Sequence, residues 1–266
     1  MVMSTLTVLF ALMFAVATVF SMLGQGGGVL YTPIQVFFGI DFHIAATTSL
    51  FLIMTTSLSA TLVFRKAKKV DWPLAIVLES ATTLGGFIGG LGSGQFSGQS
   101  LSILFAGVVA FAAIFMVREF HMETVCGTVQ QGRVYWRRRF GGQEYCVNVL
   151  VALPASFIAG AASGLVGVGG GILKVPLMVL LLGIPMDIAV GSSAFMVGMT
   201  AAGGFAGHVI SGHWDWRVSL LLAVAVFIGG QIGARKSIGI DKKTMRRIFG
   251  WFLVIIATSM IIRAVV

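Results

Sequence analysis

Charged residues are scarce in this sequence. Asp, Glu, Lys and Arg make up 10% of its 266 residues and 57% of the residues are hydrophobic, whereas soluble domains carry about 25% charged residues. So few charges would leave most of the surface of a soluble fold apolar. Several apolar runs approach the roughly 20 residues that a helix needs to cross the hydrocarbon core of a bilayer. The composition therefore excludes an ordinary soluble domain and predicts an all-α polytopic membrane protein.

Cysteines and the common catalytic and metal-binding motifs are scarce as well. Cys126 and Cys146 are the only cysteines, and neither has a Cys-x-x-Cys partner or a histidine at zinc-finger spacing. We predict two free thiols, because their loop is basic and is therefore expected in the reducing cytoplasm. The sequence has no His-Glu-x-x-His motif and no Walker motif. We therefore predict no metal site, no cofactor and no use of ATP by this chain.

The positive charge is concentrated rather than spread. The net charge is +9, and fifteen of the eighteen Lys and Arg residues lie in three connecting segments, Arg65–Lys69, Arg118–Arg139 and Arg235–Arg247. Basic clusters beside apolar spans are typical of cytoplasmic loops that face anionic lipid. We therefore predict no nucleic-acid partner. We expect a multi-pass protein of the cell (inner) membrane, in contact with the lipid bilayer, with its basic loops in the cytoplasm and both termini outside.

Apolar segments follow one another along the chain. They cover roughly residues 4–23, 28–39, 43–64, 72–95 and 100–118, then 147–166, 171–184, 187–211, 216–235 and 247–265. The first of them lacks the basic start of a signal peptide, so we expect a retained helix. We divide the chain into a first transmembrane repeat (1–118), a polar basic linker loop (119–146) and a second transmembrane repeat (147–266). The Val134–Trp136 run in the linker favours a short hairpin.

The two halves repeat one another. Gly26–Gly28 aligns with Gly169–Gly171, and after a one-residue insertion Asp71–Trp72 aligns with Asp215–Trp216. Matches of this kind in register indicate an internal duplication of about five segments per half.

Charge gives the two halves opposite orientations. The basic turn Arg65–Lys69 follows the third segment, whereas its counterpart around Asp215 is nearly free of Lys and Arg. One segment later the reverse holds, because an uncharged turn corresponds to the basic Arg235–Arg247. Corresponding loops should therefore face opposite sides of the membrane. We predict two inverted-topology repeats, in which segments 28–39 and 171–184 are too short to span and form broken helices.

Each short segment begins at a glycine-rich turn. Gly24–Pro33 reads GQGGGVLYTP and Gly167–Pro176 reads GVGGGILKVP. Glycine weakens a helix by about 1 kcal/mol relative to alanine, and the freed amides join the positive end of the following helix dipole. We predict an anion-binding site between the two turns, near the bilayer midplane. The alternative, close helix packing, is our preferred interpretation for a second set of glycines. That set is Gly85, Gly86, Gly89, Gly90, Gly229, Gly230 and Gly233.

Polar side chains near the turns are further candidates. Lys174 lies in an apolar run at a cost of at least about 2.5 kcal/mol, so we expect it to contact substrate, to reach an interface or to form an ion pair. Glu79 is a coupling candidate that carries a proton or neutralises Lys174, unless it is a structural, protonated carboxyl. Thr47–Ser49 and Ser192–Ser193 open the third and eighth segments, where hydroxyls cap a helix or bind anion oxygens. The candidate substrate-binding residues are Gly24, Gln25, Gly26, Gly27, Gly28, Tyr31, Thr48, Ser49, Gly167, Gly169, Gly170, Gly171, Lys174, Ser192 and Ser193.

The paired turns, each followed by Leu-x-x-Pro, precede the segments that contain Thr48–Ser49 and Ser192–Ser193. With the duplication, they resemble the sulfite exporter TauE/SafE family, also called the 4-toluene sulfonate uptake permease family, over roughly residues 8–118 and 147–265. The resemblance implies a secondary transporter of small sulfur-containing anions, such as sulfite or organosulfonates. We expect alternating access with a proton or sodium ion as coupling ion. The alternatives are an anion channel or, less favoured, a membrane-embedded enzyme, for which only Glu79 and Lys174 are available.

Overall fold

The computed structural model describes residues 3–40, 42–92, 135–166, 171–210 and 214–241. It also describes single residues and short pieces between 243 and 258, and those belong to helical turns. The predicted segments 100–118 and most of 247–265 lie outside the described residues.

Helices make up most of the described chain, and two strands join them. The elements are α1 (Met3–Met22), α2 (Gly28–Phe37), α3 (Phe42–Lys66), α4 (Trp72–Gly92), β1 (Tyr135–Phe140), β2 (Gln143–Asn148), α5 (Val149–Val166), α6 (Gly171–Pro176), α7 (Met186–Ile210) and α8 (Trp216–Gly239). A π-helical turn, Leu177–Leu181, continues α6. The helix bounds follow the apolar segments closely because helix ends coincide with the glycine, proline and charged turns.

Three helical stretches in the described part of the chain are long and apolar enough to cross a membrane. They are Thr47–Lys66, Met186–Gly203 and Trp216–Gly239. Shorter apolar stretches occupy α1, α4 and α5. The prediction of a helical membrane protein is therefore supported by length and composition.

The two short segments are broken, as predicted. The ten residues of α2 span about 15 Å at 1.5 Å per residue, half of a bilayer core of about 30 Å. In the second half, α6 contains six residues and ends at Pro176 before the π-helical turn. Proline lacks the amide that a continuing helix needs, which accounts for the change of helix type at this point.

Contacts divide the chain into two compact units. Unit 1 consists of Met1–Val70 and Val190–Gly239, and unit 2 consists of Asp71–Ala189 and Ile240–Val266. Each unit therefore combines residues from both sequence halves, and the boundary in the second half falls inside α7. The division into two repeats and a linker remains a prediction.

Unit 1 is built on α1, α3 and α8, with α2 against α3. Its core contains side chains from five helices. Polar bonds also join its helices: the Ser59 hydroxyl donates to the Phe227 carbonyl at 2.6 Å and the Ser237 hydroxyl donates to the Met22 carbonyl at 2.8 Å. Interhelical hydrogen bonds of this kind stabilise helix association in membranes, where lipid is as apolar as the helix surface.

Within unit 1, α7 runs antiparallel to α3. A Cβ at Gly191 would clash with the Lys69 carbonyl, and a Cβ at Gly198 would lie 3.0 Å from the Ser57 Cβ. Positions nearer the C-terminal end of α3 therefore lie beside positions nearer the N-terminal end of α7. The two helices are counterparts in the sequence repeat.

Unit 2 is built on α4 packed against α5. A Cβ at Gly85 would clash with the Phe157 carbonyl, and a Cβ at Gly160 would clash with the Thr82 carbonyl. In unit 1, a Cβ at Gly229 would lie 2.6 Å from the Phe14 carbonyl oxygen. The packing interpretation is thus confirmed for Gly85, Gly229, Gly230 and Gly233, each of which faces another helix closely, whereas a Cβ at Gly86 would make only an ordinary contact, 3.6 Å from the Gly160 carbonyl oxygen. The structure does not describe the surroundings of Gly89 and Gly90.

The predicted hairpin of the linker is present and is longer than the Val134–Trp136 run suggests. Strands β1 and β2 pair antiparallel from Tyr135 opposite Asn148 to Phe140 opposite Gln143. Gly141 and Gly142, with φ of 59° and 75°, form the two-residue turn, which requires positive φ at both positions.

A buried carboxylate attaches the hairpin to the start of α4. Asp71 accepts hydrogen bonds from the Arg138 guanidinium and the Tyr145 hydroxyl, and both Asp71 and Tyr145 are fully buried. Burial and then the Asp71 carboxylate raise the pKa of the Tyr145 phenol, which therefore stays neutral and donates. Asp71 follows the basic turn Arg65–Lys69 by two residues, so this contact joins the hairpin to the chain just after that turn.

The prediction of free thiols is wrong. Cys146 lies in β2 and is disulfide-bonded, and no free cysteine is present among the described residues. The chain has one other cysteine, Cys126, which lies outside the described residues. The prediction failed because it inferred the redox state from loop charge alone, and that inference carries no information on whether the two cysteines meet.

Candidate functional site

The first glycine-rich turn closes α1 and opens α2. Gly24 has φ of 70°. The Gly24 amide donates to the Ser21 carbonyl and the Gln25 amide donates to the Phe20 carbonyl at 3.2 and 3.0 Å. This pair of bonds around a left-handed residue is the Schellman motif, which ends a helix and favours glycine. The sequence therefore stops α1 inside the apolar part of the chain.

Two further glycines keep the turn tight. Gly26 has φ of 68° and Gly27, the N-cap of α2, has φ of 87°. A Cβ at Gly27 would lie 2.6 Å from the Tyr31 hydroxyl oxygen, so the Tyr31 ring lies directly on this glycine. As at every helix start, the first amides of α2 have no acceptor within the helix.

Tyr31 is tied to α3. Its hydroxyl lies 2.9 Å from the Thr56 hydroxyl, and Thr56 itself donates to the Leu52 carbonyl. Because a threonine hydroxyl has one proton, Tyr31 is the donor to Thr56. Tyr31 is fully buried, so it fixes the position of α2 beside the turn.

The predicted hydroxyl residues join helices and are not helix caps. Helix α3 begins at Phe42 and α7 at Met186, so Thr48, Ser49, Ser192 and Ser193 lie beyond the first turn. The capping interpretation is therefore wrong, because both helices begin earlier than the hydroxyl segments suggest.

Three of these hydroxyls have defined partners in unit 1. Ser193 donates to the Gly24 carbonyl at 2.9 Å, so α7 holds the glycine-rich turn. Thr48 lies 3.1 Å from the Ser219 hydroxyl. Ser49 accepts from the Gln35 amide at 2.9 Å. Ser192 is also buried.

Unit 2 contains a buried ion pair. The Lys174 ammonium donates to Glu79 Oε2 at 2.7 Å, and both side chains are nearly inaccessible to solvent. The other carboxylate oxygen of Glu79 accepts from the Thr83 hydroxyl at 3.0 Å. Of the three alternatives for Lys174, the structure shows the ion pair, which joins α4 to α6.

The second glycine-rich turn is described only at its end. Gly167, Gly169 and Gly170 lie outside the described residues, and Gly171 is the buried first residue of α6. The structure thus brings Gly24–Gly28, Tyr31, Thr48, Ser49, Ser192 and Ser193 into unit 1, and it brings Glu79, Gly171 and Lys174 into unit 2.

Sequence reasoning missed three polar residues of unit 1. Gln35 donates to the Tyr31 carbonyl and to Ser49, which fixes its amide and leaves Oε1 without a partner among the described residues. The hydroxyls of Ser57 and Thr61 are likewise buried and have no partner in the described part of the chain. A signal was available, because each of these polar residues corresponds to an apolar residue in the second half.

Apolar helices of spanning length, short broken helices and buried polar pairs together define a polytopic helical membrane protein. The chain belongs to the sulfite exporter TauE/SafE family, whose family model matches residues 9–260.

The relatives carry transporter names. The chain is 29% identical over 254 residues to a probable membrane transporter protein, YunE, of Bacillus subtilis, a match that covers 92% of this chain and 93% of the relative. It is 31% identical over 261 residues to a probable membrane transporter protein of Haemophilus influenzae, covering 90% of this chain and 92% of the relative. A third relative, of Xylella fastidiosa, bears the same description and is 26% identical, covering 91% of this chain and 90% of the relative. No solved structure matches this chain.

Proposed function

We propose that this protein is a secondary transporter of small sulfur-containing anions, sulfite or organosulfonates, that works by alternating access. Membership of the sulfite exporter TauE/SafE family and the transporter names of the relatives support this proposal. We place the protein in the cell membrane with its basic loops toward the cytoplasm, on the charge bias of the loops.

The observation that carries the proposal is the turn before α2. Positive-φ glycines end α1 and start a ten-residue helix inside the chain's apolar region. The positive end of the α2 dipole and the first amides of α2 favour the binding of an anion at this turn. Every buried polar side chain among the described residues of unit 1 is uncharged, so no fixed carboxylate opposes a negative ligand.

The repeated packing supports an inverted repeat as the basis of alternating access. Gly85 meets the Phe157 carbonyl in unit 2, and the counterparts of both residues, Gly229 and Phe14, meet in unit 1. The first helix of each half thus packs on the fourth helix of the other. The antiparallel course of α3 and α7 is what inverted counterparts require. In transporters of this kind, rocking of related bundles moves access from one side to the other.

The Glu79–Lys174 pair is the proposed coupling element. Among the described helices around it, α4 has no other ionisable side chain, α6 contributes only Lys174, and α5 has none. A proton on Glu79 would release Lys174 from its partner and leave a net positive charge in unit 2, which favours entry of an anion. Proton binding and anion binding would then support each other.

Counterflow in proteoliposomes tests the transport function. Purified protein is reconstituted with sulfite or 4-toluenesulfonate inside, and uptake of the labelled anion is measured against its concentration. We expect saturable uptake that is accelerated by internal anion. Flux that rises linearly with concentration, without counterflow, would contradict a transporter and indicate a channel.

Two glycine variants locate the site. Gly26→Ala and Gly39→Ala both place alanine at positive φ, 68° and 80°, but only Gly26 lies in the turn before α2. We expect Gly26→Ala to abolish counterflow and Gly39→Ala to retain most of it. Equal loss in both would mean that backbone strain, not the site, sets the effect.

Glu79→Gln tests coupling in the same vesicles. We expect wild-type uptake to depend on an imposed pH gradient and the Glu79→Gln variant to transport without that dependence. A sodium-driven wild type with no response to pH would contradict a proton on Glu79.

A further inference from the structure

Unit 1 contains buried polar groups that no described residue satisfies. Both amide atoms of Gln25 and the hydroxyls of Ser57 and Thr61 lack a hydrogen-bond partner in the described part of the chain. These side chains are 3%, 1% and 7% exposed. Because a buried group without a partner pays its full desolvation cost, nearly all such groups in proteins are bonded. The three residues of unit 1 therefore point to a ligand that the described residues do not include.

The two hydroxyls differ from their neighbours on α3. Thr55 and Thr56 donate to the Phe51 and Leu52 carbonyls at 2.9 and 2.8 Å, the local bond that a helical hydroxyl ordinarily makes. Ser57 and Thr61 do not make this bond among the described residues. They are four residues apart, so both lie on one face of α3.

Contacts of the two neighbouring glycines place the backbone of Gln25 beside this face. A Cβ at Gly26 would lie 2.8 Å from the Ser57 hydroxyl and 3.1 Å from Val197, so the Ser57 hydroxyl is directed at the turn. Gly24 binds Ser193, one turn of α7 before Val197. The backbone of Gln25 therefore lies between the levels of Ser193 and Val197.

Thr61 lies on the same side of Ser57 as Gly24 does. Because α7 is antiparallel to α3, the step from Val197 to Ser193 on α7 corresponds to a step from Ser57 toward Thr61 on α3. The backbone of Gln25 is thus level with the turn of α3 that extends from Ser57 to Thr61. Helix α2 begins at Gly28, three residues after Gln25.

The sequence repeat does not require these polar residues. If they served the fold that both halves share, polar residues would recur in the second half. The counterparts of Gln25, Ser57 and Thr61 are Val168, Ala201 and Phe205. The three polar residues therefore serve something that is present once per molecule, as a substrate is.

We propose that Gln25, Ser57 and Thr61 bind the oxyanion head of the substrate together with the first amides of α2. An amide and two hydroxyls supply neutral donors, and hydrogen bonds to a charged acceptor are about twice as strong as neutral ones. The assignment rests on the proposed function, since it names side chains of that binding site. It also makes Ser57 and Thr61 determinants of selectivity for an oxyanion over a halide.

Removal of the hydroxyls tests the assignment in the full-length protein. The variants are Ser57→Ala, Thr61→Val and the double variant, with Thr55→Val as control because the Thr55 hydroxyl is bonded on another face of α3. Binding of sulfite and of 4-toluenesulfonate is titrated by calorimetry. We expect the dissociation constant to rise about tenfold in each single variant, more in the double variant, and to stay unchanged in the control.

The stability of the ligand-free protein provides a second test, in which the variant that loses affinity is expected to gain stability. Because Thr61→Val removes a buried hydroxyl without a partner, we expect its melting temperature to rise by about 2 °C. A fall in melting temperature would show that the hydroxyl serves the fold and would overturn the assignment. Unchanged affinity in the double variant would overturn it too, and would leave the proposed function standing. Absence of binding of either anion to the wild type would overturn both.

Discussion

At the scale of single residues, the charge balance around Lys174 determines how unit 2 contributes to stability and to anion binding. Lys174 and Glu79 form a buried pair at 2.7 Å. Removing one member of such a pair costs about 3–5 kcal/mol, because the remaining charge is left without compensation, whereas replacing both by neutral residues is often nearly neutral. The two kinds of variant therefore separate stability from binding.

We expect Lys174→Met to lower the free energy of unfolding by about 3 kcal/mol and to weaken anion binding at least about tenfold. The double variant Lys174→Met/Glu79→Gln should regain stability but not affinity, if the ammonium contacts the anion. Thermal unfolding and calorimetry of purified protein measure both. Affinity that returns with stability would show that Lys174 only balances Glu79.

Backbone glycines give a second prediction at this scale. Alanine at Gly85 or Gly229 would place a Cβ against the Phe157 or Phe14 carbonyl, and such overpacking costs about 1–3 kcal/mol. Gly203→Ala in α7 is the matched control, because nothing lies within 4 Å of its Cβ and alanine favours a helix. We expect lower melting temperatures for the first two variants and an equal or higher one for the control. Equal effects at all three sites would contradict close helix contact.

At the scale of elements, the hairpin depends on one carboxylate. Asp71 caps α4 and binds Arg138 and Tyr145, whereas its sequence counterpart Asp215 caps α8 through the amides of Arg217 and Val218. Asparagine retains capping ability but removes the charge.

We therefore expect Asp71→Asn to lower the free energy of unfolding by at least about 2 kcal/mol more than Asp215→Asn, since it leaves Arg138 without its buried partner. Hydrogen exchange over residues 135–148 should accelerate in Asp71→Asn alone. Similar exchange in both variants would mean that strand pairing, rather than Asp71, holds the hairpin.

Helix positions were predictable from sequence because apolar length and the punctuation by glycine and proline are local signals. The short α2 and α6 were predicted from segment length, and Gly85 and Gly229 from their spacing. The Lys174–Glu79 pair was one of three alternatives, since the sequence does not show which helices are neighbours. The predictions of a free thiol at Cys146 and of hydroxyl caps on α3 were wrong. Which cysteines meet and where a helix begins both depend on tertiary packing.

At the scale of the whole molecule, two observations give opposite indications of how the protein is oriented in the membrane. The charge bias predicts a cytoplasmic position for Arg65–Lys69, the linker loop and Arg235–Arg247. A disulfide at Cys146 is usual in oxidising compartments. The Asp71 contact adds a constraint, because it joins the hairpin to a residue that follows the Arg65–Lys69 turn by two positions.

Accessibility tags at residues 68, 135 and 240 test this orientation in intact cells. We expect all three to report the cytoplasm. The tags at 68 and 135 should agree whichever side they report, since Asp71 links their segments. External signals at all three would mean that the disulfide, not the charge, indicates the side. Disagreement between 68 and 135 would contradict the contact between Asp71 and the hairpin.

Unit 1 combines helices that are far apart in the sequence, and this has a consequence for biosynthesis. Helix α1 leaves the ribosome before α8, against which it packs. Until α8 is made, the apolar face of α1 at Leu9, Met13 and Ala17 lacks the side chains of Leu222 and Val226 that complete its core. A nascent chain that terminates before Trp216 would expose this part of α1, and we expect membrane quality-control proteases to degrade it.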